Sequence, residues 1–322
     1  MLKLLKNLNK KDWLYVFISA ILIVFQVWLE LKMPDYMSNI TQLVQTKGAA
    51  MSDILREGGY MLLCAFGSLV SAFIVGYFTS SISASFSYRT RGKLFRKVED
   101  ISTYEIKKFS PSSLITRTTN DITQIEFLIA MGLTLMIKAP VTAVWAVTKI
   151  VNKSIEWSIL TGVAVLVLLI TIGIIMIIVM PKFKIVQELL DKVNMVMREN
   201  LTGIRVVRAF NAEEYQEDKF EGINNKLTKQ QIFNQTAFNY LSPIMYLVMY
   251  FLTLGIYFIG AILINDAGMG DKIVLFGNMI VFSSYAMQVI MSFLMLAMIF
   301  MMLPRASVSA KRINEVLDTP IS

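Results

Sequence analysis

Any chemistry done by this chain has to be done without histidine and with a single thiol, Cys64. That excludes imidazole general bases, Ser/His triads, histidine metal sites and an internal disulfide, so no catalytic residue and no metal ligand set is assigned. The polar side chains that stand out lie inside apolar runs, where they face protein or water rather than lipid and so mark a candidate substrate cavity. Gln26, Glu30, Lys32 and Asp35 cluster around Pro34, Lys138 lies two residues before Pro140, and Gln288 and Ser292 fall midway along the last apolar run. For Glu30, Lys32 and Asp35 the competing reading is pairing or snorkelling at the outer membrane interface. Met287, Met291, Met295, Met298 and Met302 recur in steps of three and four, which puts them on one helix face. Flexible, polarizable methionines suit varied apolar ligands, and a packing or lipid-facing stripe has the same spacing. With Tyr246, Tyr250 and Tyr257 on the preceding run, they would frame a cavity for an amphipathic, lipophilic or cationic molecule.

The elements that must position these residues are membrane spans. With 55% hydrophobic and 17% charged residues among 322, the composition is not that of a soluble domain. Six apolar runs, 13–31, 60–80, 127–150, 157–179, 240–264 and 273–303, are each near or above the roughly 20 residues that cross a bilayer. Their connections alternate, with 45–58, 151–156 and 265–272 short and 81–126 and 181–239 long and charged. Seven of the 31 Lys and Arg lie beside short connections or inside runs, and the other 24 fall in the N-terminus, the long loops and the C-terminus. The positive-inside rule therefore puts both termini and both long loops in the cytoplasm. The same topology accounts for the net charge of +8 without a nucleic-acid partner. Residues 1–12, with Leu2, Leu5 and Leu8 among Lys3, Lys6, Lys10 and Lys11, read as one short interfacial helix on an anionic leaflet. A cleaved signal peptide loses to this reading because the run 13–31 is too long.

The long loops have the composition of helices. Residues 81–104 contain no proline and one glycine, and predict that the second span continues for about 36 Å more. Residues 181–209 predict the same for the fourth span, through Pro181. In the second loop Leu201, Ile204, Val207 and Phe210 recur at helical spacing among charges of both signs, the pattern of an amphipathic helix in water. Asn211 breaks it and is placed as the N-cap of a new short helix with Glu213 and Glu214 in its first turn. A plain solvated loop is the alternative.

Three stretches carry a more specific pattern. Glu199, Asn200, Gly203, Ile204, Val207, Arg208, Ala209, Phe210 and Glu214 resemble the second intracellular loop of ATP-binding cassette (ABC) exporters, E-N-x-x-G-I-x-x-V-(K/R)-A-F-x-x-E. Phe109, Leu114, Ile115, Arg117, Asn120 and Asp121 are similar to the first-loop pattern F-x-x-x-x-G-x-L-(I/L)-S-R-x-x-N-D, with Ser112 for the usual glycine and Thr116 for serine. Arg305, Ser309, Arg312, Glu315 and Asp318 look like the segment by which the sixth helix of that family leaves the membrane. The resemblance implies an all-α membrane fold with six transmembrane helices and long cytoplasmic extensions. It also implies an organisation into an elbow helix at 1–12, a transmembrane domain at 13–312 and the start of a linker at 313–322.

By the same resemblance, a first coupling segment around 107–113, with Phe109, Ser110, Ser112, Arg117 and Asp121, and a second with Phe210, Ala212, Glu213, Glu214 and Tyr215 meet a nucleotide-binding domain. Arg117 and Asp121, four apart, are expected to pair on one helix face. The implied partners are that ATPase domain with its ATP and Mg, a second half-transporter identical or not to this one, the plasma membrane and a small hydrophobic, drug-, lipid- or peptide-like substrate. No G-x-x-x-x-G-K-[ST] phosphate loop occurs in the sequence, so the ATPase is expected on another subunit or past a domain boundary. The rival reading, a secondary transporter or membrane scaffold, leaves the long stalks without a purpose.

Overall fold

A helix satisfies its interior backbone groups without water, and among the described residues six helices are long and apolar enough to cross a bilayer. The computed structural model describes residues 2–5, 7–46, 48–106, 109–151, 155–268 and 271–320. Its helices are α1 Leu2–Leu5, α2 Lys10–Gln45, α3 Met51–Asp100, α4 Thr103–Ile106, α5 Pro111–Thr118, α6 Asn120–Phe127, α7 Leu133–Val151, α8 Ile155–Ala209, α9 Glu213–Asn239, α10 Leu241–Asp266 and α11 Asp271–Leu317. A π-helical turn, Leu128–Gly132, joins α6 to α7, and no strand occurs among the described residues. The chain divides into two units, residues 1–160 with 254–322, and residues 161–253.

In the first unit α2 packs along α3, and α11 packs against α7 and α2. The buried face of α3 is Cys64, Ser68, Ser71, Val75, Thr79, Ile82, Phe86, Thr90 and Leu94, spaced by three and four, while Leu62, Leu63, Phe66, Phe73 and Tyr77 stay exposed. Small and weakly polar residues turn inward here because lipid already solvates the large apolar ones, and small side chains let helix axes approach. Ser71 and Ser83 donate to the Gly67 and Ser80 carbonyls, so their buried hydroxyls are satisfied within the helix. Two glycines serve the same close approach. A β-carbon on Gly260 of α10 would lie 2.5 Å from the Met279 sulfur, and one on Gly277 of α11 would lie 2.7 Å from Ser38 Oγ.

The N-terminus departs from the expected single helix over 1–12. Asn9 and Asp12 form a capping box, with the Asn9 side chain accepting from the Lys10 N–H and Asp12 accepting from the Asn9 N–H at 2.8 Å, so α2 starts at Lys10. Leu4 of α1 is buried in a cluster with Phe86, Leu94, Ile122, Ile313 and Val316, so it faces protein and not a leaflet. Across the expected boundary at 313, Ala306, Ala310, Ile313 and Val316 continue the buried face of α11, and the helix runs unbroken to Leu317. Met1 and Lys6 of the N-terminal segment, and Lys107 and Lys108 of the first long loop, lie outside the described residues.

The second unit contains an antiparallel pair. Lys219 of α9 donates to both oxygens of Glu199 on α8 at 2.8 Å, and Phe183 meets Phe238 with ring centroids 5.8 Å apart. The α8 helix passes through Pro181 without ending, as expected from the sequence. Its 55 residues amount to about 80 Å, far more than a bilayer requires. Overpacking at a helix contact costs about 1–3 kcal/mol. Gly277→Leu should therefore lower the thermal midpoint of the detergent-solubilised protein, whereas Gly76→Leu, where an added β-carbon meets nothing within 4 Å, should leave it unchanged or raise it.

Candidate functional site

The tip of the first long loop begins with Ser110 as the N-cap of α5, its hydroxyl accepting from the Ser113 N–H at 3.2 Å, and with Pro111 in the first turn. Ser110 has φ −74° and Ser112 is helical, so Ser112 needs none of the backbone freedom a glycine supplies. Ser110, Pro111, Ser112 and Ile115 are exposed, as is Tyr104 of α4.

Arg117 and Asp121 do not pair with each other. Thr119, at φ −108° and ψ −81°, interrupts the helix between them, and both side chains turn to α11. Arg117 donates from Nη1 to the Arg312 carbonyl at 2.6 Å, pairs through Nη2 with Glu315 at 3.1 Å, and stacks on Phe109 at 4.9 Å. Its Nε donates to Ser113 Oγ. Asp121, 5% exposed, accepts from Ser309 Oγ at 2.9 Å. These two residues therefore clamp the first loop onto the exit helix and are not a free docking surface. Sequence reasoning missed Ser309 and Glu315 as their partners. The signal was available, since both belong to the exit-segment pattern and Glu315 is opposite in charge to Arg117.

The second segment is a turn with its own construction. The Ala212 N–H bonds the Val207 carbonyl at 2.9 Å and the Asn211 N–H the Arg208 carbonyl at 3.4 Å, the pair of bonds that closes a helix when the next residue is left-handed. Asn211 takes that conformation, at φ +48°. Asn211 is thus the terminator of α8 rather than the N-cap of the next helix. The N-cap is Ala212, without a side-chain bond, and the helix it opens is the 27-residue α9 rather than a short one. Glu213 and Glu214 sit in the first turn of α9, facing the positive end of its dipole. Phe210 is 80% and Tyr215 67% exposed, so two large rings stand in solvent on either side of the turn. The Glu199 hydrogen bond raises the Lys219 ammonium above the ordinary lysine range, so the pair between α8 and α9 is intact at neutral pH and lost only in alkali.

Within the spans, the cavity candidates of the first unit are largely partnered. Glu30 Oε1 accepts from Lys138 Nζ at 2.8 Å, from Gln26 Nε2 at 2.9 Å and from Ser68 Oγ at 3.2 Å. Asp35 accepts from Lys149 Nζ at 2.8 Å and from the Tyr285 hydroxyl at 2.7 Å. Lys32 lies over the Trp28 ring at 5.9 Å. Pairing thus describes Glu30 and Asp35, each joining α2 to α7, with α3 or α11 as a third member. Ser292 is buried and donates to the Val289 carbonyl, Gln288 and Met295 are half-buried, and Met287, Met291 and Met298 are exposed. In the second unit Tyr246 and Tyr250 are exposed, their rings stacked at 6.5 Å.

Comparison with known proteins finds relatives of this sequence. Residues 16–293 match the family model of the ABC transporter transmembrane region. An uncharacterized ABC transporter ATP-binding protein of Mycobacterium tuberculosis is 32% identical over 295 residues, 88% of this chain and 49% of that protein. An uncharacterized ABC transporter ATP-binding protein of Bacillus subtilis is 28% identical over 311 residues, 94% of this chain and 52% of its own length. A multidrug resistance-like ATP-binding protein of Buchnera aphidicola is 24% identical over 315 residues, 96% of this chain and 52% of that protein. The chain spans about half the length of these curated relatives.

Arg117 meets a carbonyl, a carboxylate, a hydroxyl and a ring at once, a set that a planar fork satisfies and an ammonium does not. Arg117→Ala should destabilise the protein by about 1–2 kcal/mol, and Arg117→Lys should recover little of it; thermal unfolding of the two variants checks this. In the membrane, Lys138→Met alone should cost more stability than Lys138→Met combined with Glu30→Gln, because the single change leaves a carboxylate without its cation. Denaturation of the three proteins in detergent gives the order.

Proposed function

The chain belongs to the ABC transporter transmembrane family, and on that premise we propose that it is the permease half of an ATP-driven exporter of hydrophobic or amphipathic molecules. The observation that carries the reading is the exposed turn at Phe210–Tyr215, held about 45 Å past the apolar part of α8 by unbroken helix. Bare aromatic rings at the tip of a charged helical pair are what a docking partner would bury. A nucleotide-binding domain is that partner in this reading, and ATP with Mg sits there. The relatives support it, being about twice the length of this chain and named as ATP-binding.

A second half-transporter, a copy of this chain or a related one, completes the translocation path. The membrane is the plasma membrane, with both termini and both long loops cytoplasmic, as the distribution of Lys and Arg suggests. Nucleotide-driven closure moves the docked turns, and the helices continuous with the spans convert that into alternating access. On the substrate side Glu30 and Asp35 each have a lysine partner and offer no free carboxylate to a cation. The exposed methionines of α11 carry the binding, and they favour lipophilic ligands of varied shape. The multidrug resistance-like name of one relative agrees with that choice.

The test is Phe210→Ala with Tyr215→Ala in the transporter assembled with its ATPase and reconstituted in vesicles. Transport and ligand-stimulated ATP hydrolysis should both fall roughly tenfold or more, as expected for truncating central docking residues. Stimulated hydrolysis at the unaltered rate would show the turn to be a solvated connection.

A further inference from the structure

The N-terminal segment and the stalk of α3 enclose an open cleft of about 500 Å³, and the reading above leaves it without a role. Its level in the membrane is set by Asp12, which accepts from Ser85 Oγ at 3.2 Å just where the apolar run of α2 begins with Trp13. The cleft lies immediately outside that level, between residues 7–9 and 88–96. Arg89, Lys93 and Arg96 line it, at successive steps of four and three along one face of α3.

Three like charges at such spacing repel one another, and little in the described protein offsets them. Arg89 reaches Asp12 only at 4.0 Å, and that carboxylate already accepts from Ser85 and from the Asn9 N–H. Lys93 donates to the neutral amide of Asn7 at 2.7 Å, which leaves ammonium hydrogens free. Arg96 has no ion pair among the described residues. Side chains on a helix lean toward its N-terminus, and for α3 that direction is the membrane. Consistent with this, the Arg96 guanidinium lies 3.8 Å from where a β-carbon on Gly92 would be, one turn nearer the bilayer. Gly92 lines the cleft, together with the exposed rings of Tyr88 and Phe95. Above it the surfaces of α2 and α3 are apolar and exposed at Leu14, Phe17 and Tyr77.

We propose that this cleft binds the headgroup of an anionic phospholipid, the phosphate held by Arg89, Lys93 and Arg96 while the acyl chains lie along the exposed face of α2 and α3. Basic pockets at the membrane surface bind such headgroups, and each cation there contributes to the attraction. The proposal rests on α2 and α3 spanning the bilayer and not on ATP-driven transport, so it stands or falls separately from that mechanism.

The experiment titrates the purified full chain in neutral detergent with phosphatidylglycerol, phosphatidylcholine and inorganic phosphate, following thermal unfolding and bound lipid by native mass spectrometry. Phosphatidylglycerol should bind and raise the midpoint, the effect weakening with salt. Two variants localise it. Arg89→Gln with Arg96→Gln removes two cations and should weaken binding roughly tenfold or more. Gly92→Leu keeps every charge, fills the cleft and suits the helix better than glycine, so it should match the stability of the parent without lipid while losing the shift. An equal shift with phosphatidylcholine, an equal shift with inorganic phosphate, or full phosphatidylglycerol binding by both variants each overturns the proposal. Failure of the chain to enter vesicles at all would instead overturn the membrane reading beneath it.

Discussion

A charge withdrawn from water has to be matched where it lies, and much of this chain is arranged around doing so. Lys138 and Glu30, and Lys149 with Asp35 and Tyr285, are contributed by helices far apart in sequence. None of these groups could be left alone at such depth without a large cost, so their pairing limits the ways α2, α7 and α11 can be assembled. Small residues along α3 then allow the close packing that the ion pairs demand. The same logic recurs outside the spans for Arg117, which lies against α11 with its guanidinium paired to Glu315 and the Arg312 carbonyl, whereas Asp121 beside it has one oxygen bonded to Ser309 and the other buried without a partner among the described residues.

The tips of the two long loops consequently differ in kind. The first is bound to the exit helix by Arg117 and Asp121, with the Leu4, Phe86, Ile122 and Ile313 cluster beneath it. Force applied at Ser110–Ile115 reaches α11 directly through these contacts. The second has its apolar rings in solvent and is shaped chiefly by backbone hydrogen bonds around Asn211. What is already held needs no partner to order it, whereas what is bare gains most from one.

Much of this was legible beforehand. Six spans and the helical continuation of the second and fourth follow from long apolar runs and from breaker-free charged stretches, signals that accumulate over many residues. The family patterns were legible too, since they are written in consecutive residues. The seam of α3 was not, because serine and threonine carry almost no hydropathy and the larger apolar residues beside them face outward. Arg117 and Asp121 misled for a different reason: a four-residue spacing means one face only while the helix is continuous, and nothing in Thr118-Thr119-Asn120 announces the break. Asn211 was seen as a boundary but given the wrong side of it, since asparagine both caps helix starts and accepts the left-handed conformation that ends them. Leu4 and the extension of α11 to Leu317 were hidden because each depends on a surface supplied by distant parts of the chain.

The unbroken course of α11 has a kinematic consequence. An α-helix is stiff along and about its own axis, so its 47 residues behave as a shaft about 70 Å long. Arg312 and Glu315 are gripped at one end by the first loop, and Met287 and Met291 stand several turns up the other. Any twist imposed at the grip reaches the methionines through Pro304, where the helix lacks one backbone hydrogen bond and can bend. A rotation of about 100°, one residue's worth, would carry that stripe wholly off its present bearing; a few tens of degrees would change which side chains face the same direction. The shaft thus links the phase of the grip at Arg312 and Glu315 to the direction in which the methionine stripe faces.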